Sequence, residues 1–344
     1  MKKTFSTLVI VILTSACLSP NVSAQETNKK GTAAATFLRI PVGARGLGMG
    51  GAFVSMKDDP SGMYWNPSVL TSIQSNALMI DHARWLPGID FDFVGIVLPI
   101  QEMGTIGIST TILHTDAMEV TTPDQQMGTG EMYTASSIAI GVSYSRSLTD
   151  RFSIGGTFKY IRETIWDSYA SGIAFDIGTI FETPFEGIRL GASIANFGTK
   201  MQMTGDNLNV RVDIAPEQEG NNQSIVGKLN TDAFDLPLMM RIGISGEVFH
   251  SEEYRLTLSA DAVNPNDNAQ SANIGGEFGL LNERIVLRTG YRDLFLGESE
   301  FRPSFGVSLN NFEIVGSVLI SLDYVYQQYV HLGESNKFTL GIRF

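Results

Sequence analysis

Five glycines crowd one stretch of this chain, Gly43, Gly46, Gly48, Gly50 and Gly51, and two adjacent carboxylates, Asp58 and Asp59, follow. A glycine run can cradle a phosphate with its backbone amides. That chemistry needs a lysine and a hydroxyl residue at the end of the run, between a strand and a helix. Neither the residues nor the context is present, which argues against a nucleotide site. Adjacent carboxylates could ligate a hard cation, but they more simply supply the acceptors of a capped turn. The four histidines, His82, His114, His250 and His331, have no ligand spacing. No Ser–His–Asp set or carboxylate pair stands out, so no catalytic residue, metal or other cofactor is expected. The glycine run suits a different task, the close approach of backbone to backbone in a confined space.

The rest of the chain is organised as short alternating segments. The last, Lys337 to Phe344, puts Phe338, Leu340, Ile342 and Phe344 on one face, because strand side chains repeat with period two. An apolar face closing on a terminal phenylalanine reads as the assembly signal of an outer-membrane barrel. Fourteen such segments are counted: 76–86, 90–99, 104–114, 134–147, 151–164, 169–182, 187–197, 237–248, 253–263, 271–281, 284–292, 301–310, 312–327 and 336–344. An even count suits a bacterial barrel. The even-numbered connections are tight, ending with Asn282-Glu283 and Asn310-Asn311. Most odd-numbered ones are longer, at 115–133, 198–236, 264–270, 293–300 and 328–335. Short periplasmic turns and long outside loops would place both barrel ends in the periplasm.

The expected fold is thus all-β, a fourteen-stranded antiparallel transmembrane barrel. Ile154, Phe158, Tyr160, Ile173, Phe175, Ile177, Ile242, Ile244 and Leu258 should face lipid. Lys159, Asp176, Arg241, Glu247, Arg255, Asp261, Arg288 and Asp323 should face the lumen and pair there. Tyr144, Tyr160, Phe181, Tyr254, Tyr291 and Tyr324 are expected near strand ends as an aromatic girdle.

Composition agrees. The chain has 35 glycines and 43% hydrophobic residues without a long apolar run, which suits a barrel better than a helical membrane protein. Residues 1–24 read as a signal peptide, with Lys2-Lys3, an apolar Phe5–Leu13 and a small-residue site at Val22-Ser23-Ala24. Cleavage after Ala24 is favoured over lipidation at Cys17, the single cysteine, whose upstream leucine sits one place too early for a lipoprotein box. Removing Lys2 and Lys3 takes the net charge from −12 to −14, and so acidic a chain is a poor nucleic-acid binder.

Residues 25–36 read as a flexible leader, and 37–75 lack strand alternation. Within the latter, Phe37-Leu38 is followed by Arg39 and by Gly43-Ala44-Arg45-Gly46-Leu47-Gly48-Met49-Gly50-Gly51-Ala52-Phe53. Asp58-Asp59 and Trp65-Asn66-Pro67 come next. These residues resemble the N-terminal signature of the PorV/PorQ family, and more closely its PorV-type members, whose barrels are similar to the fatty-acid channel FadL. Ser68 departs from the alanine many FadL-like relatives carry. The resemblance implies that 37–75 is a plug, or hatch, inside a barrel formed by 76–344. Arg39 and Arg45 could then pair with lumen carboxylates such as Asp176, Glu247 or Asp323. Asn66-Pro67 reads as a turn leading into the first strand.

The resemblance also implies a non-enzymatic role in type IX secretion. The partners would be outer-membrane lipid, the translocon, the attachment-complex proteins and secreted cargo bound through its C-terminal signal domain. The alternative is a FadL-like transporter of hydrophobic small molecules, marked by an apolar pocket under the outside loops and a gap in the wall beside the plug. Met118, Met127, Met132, Met201 and Met203 could line it. The 198–236 connection is long enough to suspect a function. Its Met201, Met203, Leu208, Val210, Ile214, Ile225 and Val226 lie among Asp206, Asp213, Glu217, Glu219, Asp232 and Asp235. They could form a partner-docking surface or simply a solvated loop.

Overall fold

A computed structural model describes residues 31–344 except 186, 216, 218–223, 252, 298 and 314–317. The signal segment, Cys17, residues 25–30 of the leader and Glu219 lie outside the described residues. Fourteen long strands form the wall: β1 (Ala77–Leu86), β2 (Ile89–Ile100), β3 (Gly104–Thr115), β4 (Ala135–Thr149), β5 (Phe152–Ile165), β6 (Ser168–Glu182) and β7 (Ile188–Gly198). They continue as β8 (Met239–His250), β9 (Tyr254–Pro265), β10 (Ser271–Leu280), β11 (Ile285–Leu294), β12 (Phe301–Glu313), β13 (Leu319–Tyr329) and β14 (Glu334–Arg343). Each pairs antiparallel with its neighbour in sequence, and β1 pairs with β14 from Ala77 opposite Arg343 to Ala83 opposite Lys337. The sheet closes into a fourteen-stranded antiparallel barrel.

Alternation along each strand decides its two faces. On β5 and β6, Phe158, Tyr160, Phe175 and Ile177 are exposed on the outside, while Thr157, Lys159 and Asp176 are buried inside. Ile242, Ile244 and Leu258 are likewise outward, with Arg241, Thr257 and Asp261 inward. The outward apolar belt is the surface a lipid bilayer would solvate. The girdle is only partly realised. Phe181 and Tyr254 stand at strand ends, but Tyr160 and Tyr324 are central in β5 and β13. The hydroxyl of Tyr324 donates to Asn336 at 2.6 Å on the next strand.

Two boundaries differ from expectation. Asn310-Asn311 is not a turn, because β12 continues through it, with Phe312 opposite Ile320 and Glu313 opposite Leu319. Asn311 takes φ 61° at a register shift, so the side chain type that marks turns here makes a bulge. The thirteenth strand consequently begins at Leu319 rather than at 312. In β7, Asn196 (φ 64°) also turns inward out of phase, and its N–H donates to Asp176 at 2.8 Å. Phe197 is thereby rotated to the outside, where it is well exposed.

Residues 36–73 lie among the inward-facing side chains. They contain short 3-10 turns at Thr36–Arg39 and Pro67–Ser72 and two short helices, α1 (Ala44–Gly48) and α2 (Gly62–Trp65). Val42, Leu47, Met49, Phe53, Met63 and Leu70 are buried. Backbone meets wall directly at Gly50, which has φ 63°. A Cβ there would lie 2.4 Å from the Tyr291 nitrogen, and one on Gly290 would lie 2.1 Å from the Gly50 nitrogen. Only glycine on both sides permits that contact.

Candidate functional site

The N-terminal segment is held by buried ionic and polar anchors. Glu277 of β10, fully buried, accepts from Arg45 at 2.9 and 3.1 Å, from Arg255 at 2.8 Å and from Arg288 at 2.7 Å. Burial alone would lower the pKa of the Arg45 guanidinium. The Glu277 carboxylate more than reverses this, with help from Asp59 and Asp58, and holds it above its ordinary value. Asp261 of β9 accepts the N–H groups of Phe53 and Val54 at 2.8 and 2.9 Å. Arg39 pairs with Asp267 at 2.9 Å. The guanidinium of Arg241 lies over the rings of Tyr64 and Trp65, 5.5 and 5.2 Å from their centroids.

Asn66 is a buried hub. Its amide donates to the carbonyls of Val54 at 2.7 Å and Thr179 at 3.0 Å, while its oxygen accepts from the N–H and hydroxyl of Ser68. Ser68 is thus engaged, and Pro67 begins the turn that follows. The indole N–H of Trp65 donates to Val42 at 2.9 Å. Asp59 accepts from the Ser61 N–H at 2.8 Å, as a capped turn does. Among the described residues no group of three or more His, Cys, Asp or Glu is arranged to hold a metal ion.

At the loop end of the barrel the segment borders a cavity of about 630 Å³. Phe37, Ile40, Trp85, Ile89, Leu113 and Phe301 give it an apolar lining, and Arg39, Arg292 and Glu300 add charge. Tyr329 braces its aromatic side, 5.7 Å from Trp85 and 5.5 Å from Phe301. A hydrogen-bonded ladder of the wall stops here. The β11–β12 ladder runs from Ile285 opposite Leu309 to Gly290 opposite Ser304, and no described pairing carries it on to Tyr291–Leu294 and Phe301–Pro303. Pro303 has no N–H to offer such a pairing. By contrast, β3 pairs continuously with β2 and β4. At the tight-turn end a cavity of about 370 Å³ is lined instead by charges, among them Arg45, Lys57, Arg189, Glu247, Arg255 and Arg343.

Of the residues singled out in sequence, Gly43, Ala44, Arg45, Gly48, Met49, Gly50, Gly51, Trp65, Asn66 and Pro67 are brought together in the lumen, with Arg39 at the pocket and Asp58 and Asp59 at the charged cavity. The expected partners of the two arginines are wrong. Arg39 takes Asp267 and Arg45 takes Glu277, instead of Asp176, Glu247 or Asp323. Asp176 is engaged by Lys159, and Asp323 by Arg288 at 2.8 Å. Phe338, Leu340 and Ile342 project outward from β14, and the N–H of Phe344 donates to Asn76 at 3.0 Å.

The methionines do not line the large pocket. Met201 is buried in the same apolar cluster as Ala35 and Phe37, while Met203 borders a smaller cavity of about 230 Å³. Met127 and Met132 are exposed. In the long connection, Leu208 is half-buried and Ile214 is exposed. Ile225 belongs to a ribbon, Asn209–Val212 against Ile225–Lys228. The leader's last residues are pinned, Ala34 N–H to the Asp235 carbonyl at 2.9 Å and Ala35 N–H to Glu163 at 3.1 Å.

Sequence reasoning missed Glu277, Asp81, Lys337, Trp85 and Phe301. The first three occupy inward positions of alternating strands, so period two could have found them. The pocket aromatics had no local signal, since they come from strands distant in sequence.

No family model matches the chain, and no curated protein matches it in sequence. Solved structures do match. A FadL homologue of Pseudomonas aeruginosa is 13% identical, with a TM-score of 0.53 over 87% of this chain and 97% of that one. The monoaromatic hydrocarbon channel CymD is 14% identical, with a TM-score of 0.53 over 88% and 96%. The toluene transporter TbuX of Ralstonia pickettii is 13% identical, with a TM-score of 0.53 over 88% and 98%. The fold is that of a FadL-like barrel. Identities this low carry the architecture and leave the cargo to be argued from the site.

Proposed function

We propose that this chain is a non-enzymatic outer-membrane barrel that takes small hydrophobic molecules from the outside. The observation that carries the reading is the pocket of about 630 Å³ between Phe37, Trp85, Leu113 and Phe301, beside the point where the β11–β12 ladder stops. Its volume suits a small apolar ligand. The break in the wall offers a lateral way between pocket and bilayer, and residues 37–75 act as the plug that blocks a straight aqueous path. The long loops face outward and the chain ends face the periplasm, as the alternation of connections suggests. The apolar belt and the likeness to barrels described as hydrocarbon channels and toluene transporters support this reading.

The test is saturable quenching of tryptophan fluorescence by toluene or a long-chain fatty acid in detergent, weakened in Trp85→Ala. Planar-bilayer recording should show no large, steady porin-like conductance. Absence of saturable binding for both probes would overturn the reading.

A second reading has a specific observation behind it. The ribbon of Asn209–Val212 and Ile225–Lys228 leaves Val212 and Val226 exposed, with exposed Ile214 just past its end beside Asp213, a surface suited to a protein partner. With the PorV/PorQ-like signature, it supports a role in type IX secretion. The barrel would receive cargo from the translocon by its C-terminal signal domain and pass it to the attachment machinery. Co-purification of a giant translocon barrel or of secreted proteins from native membranes would favour this role. Bound lipid alone would favour transport.

A further inference from the structure

We propose that the N-terminal segment has a second function: it staples β1 to β14 and so closes the barrel. On the lumen side of that seam Asp81 of β1 is fully buried and shared by donors from both directions. From β14, Lys337 Nζ donates to it at 2.7 Å and the Thr339 hydroxyl at 2.5 Å. From the segment, the Gly43 N–H donates to it at 3.0 Å. The segment also grips β14 directly. The Ala44 N–H donates to Thr339 at 2.8 Å, and the Pro41 carbonyl accepts from Lys337 at 2.8 Å. Residues 41–44 therefore bridge the two strands whose pairing completes the ring.

The order of contacts along the chain gives the staple its use. Gly43 lies 38 residues from Asp81, but Ala44 lies 295 from Thr339. Joining β1 to β14 closes nearly the whole chain, and closure entropy grows with loop length. The segment can dock beside β1 early and present a half-filled Asp81 to the late-arriving β14. Lys337 is fully buried and also lies 4.3 Å from the centroid of the Phe91 ring. A buried ammonium needs its partners. A one-residue slip of β14 would turn Lys337 and Thr339 to the outside and lose the four bonds they make to Asp81, Pro41 and Ala44. The staple therefore fixes register as well as closure. The Arg189–Glu247 pair, on β7 and β8, makes none of these bonds.

Cysteine pairs in a Cys17→Ser background test this. Ile80→Cys with Leu340→Cys spans the seam, and Val94→Cys with Thr110→Cys spans β2 and β3, each pair directly opposite. Each pair is placed separately in the full chain, in a chain lacking 31–75, in Ala44→Pro and in Glu247→Gln, since Ile80 also lies opposite Val94. The proteins are diluted from urea into detergent under oxidation, and disulfides are read as mobility shifts on denaturing gels. The full chain and Glu247→Gln should form both disulfides. The shortened chain should keep the β2–β3 disulfide and lose the seam one. Ala44→Pro removes the donor to Thr339 at a helix position that accepts proline, and should slow the seam disulfide alone. Seam closure at the full-chain rate in the shortened chain and in Ala44→Pro would overturn the proposal. Loss of both disulfides together in the shortened chain would also overturn it, because the segment would then support the whole wall rather than the seam.

Discussion

Replacing Glu277 by glutamine should destabilise the folded barrel by about 3–5 kcal/mol, the cost of breaking a buried ion pair from one side. The carboxylate is fully buried and receives Arg45, Arg255 and Arg288 within 3.1 Å. Glutamine keeps the shape but removes the charge and turns one acceptor into a donor facing a guanidinium. Two of the arginines retain a hydrogen-bonded carboxylate, Glu283 for Arg255 and Asp323 for Arg288. Among the described residues, Arg45 keeps as carboxylate partner only Asp59, at 3.6 Å, besides the Lys57 carbonyl at 2.9 Å, so the loss falls mainly on the N-terminal segment. The lower half of the range is therefore expected. Urea titration in detergent measures it, with heat-modifiable migration reporting the barrel and Trp65 fluorescence reporting the segment. Glu247→Gln, a partly exposed partner of Arg189 at 3.7 Å, is the control and should cost less than about 1 kcal/mol. A Glu277→Gln barrel within about 1 kcal/mol of the parent would refute the anchoring role.

Phe344→Asp should impair barrel insertion without affecting export to the periplasm, because it puts a charge on the apolar face of the closing strand. Normal heat-modifiable migration in that variant would count against it. Met201→Ala should lower stability by about 2–5 kcal/mol as a buried large-to-small change. Met127→Ala, 95% exposed, should change it by less than about 0.5 kcal/mol. Equal melting temperatures for the two would show that the base of the long connection does not pack on the segment. Trimming 206–229, with Met201 left in place, should leave the barrel folded. Cargo attachment at the cell surface, if undiminished in that variant, would remove the ribbon as the docking element.

Strand number, strand phase and the two faces of the wall were legible in the chain itself. Period-two alternation is a local property, and a barrel leaves each strand only two environments, so Phe158 and Lys159 could be assigned to opposite faces from their spacing alone. The tight and long connections were equally readable, because turn chemistry resides in the turn. Asn310-Asn311 shows the limit of that logic: the same residue type serves a turn or a bulge, and only the partner strand decides which. The ion pairs could not be read in advance. Lys159, Asp176, Glu247, Asp261 and Glu277 all face one lumen, and their matching to Arg39, Arg45 and Arg241 depends on strand stagger and on how the N-terminal segment coils inside. The pocket was likewise a product of tertiary structure. Phe37, Trp85, Leu113 and Phe301 are dispersed over more than two-thirds of the chain, and only closure of the ring brings them around one cavity.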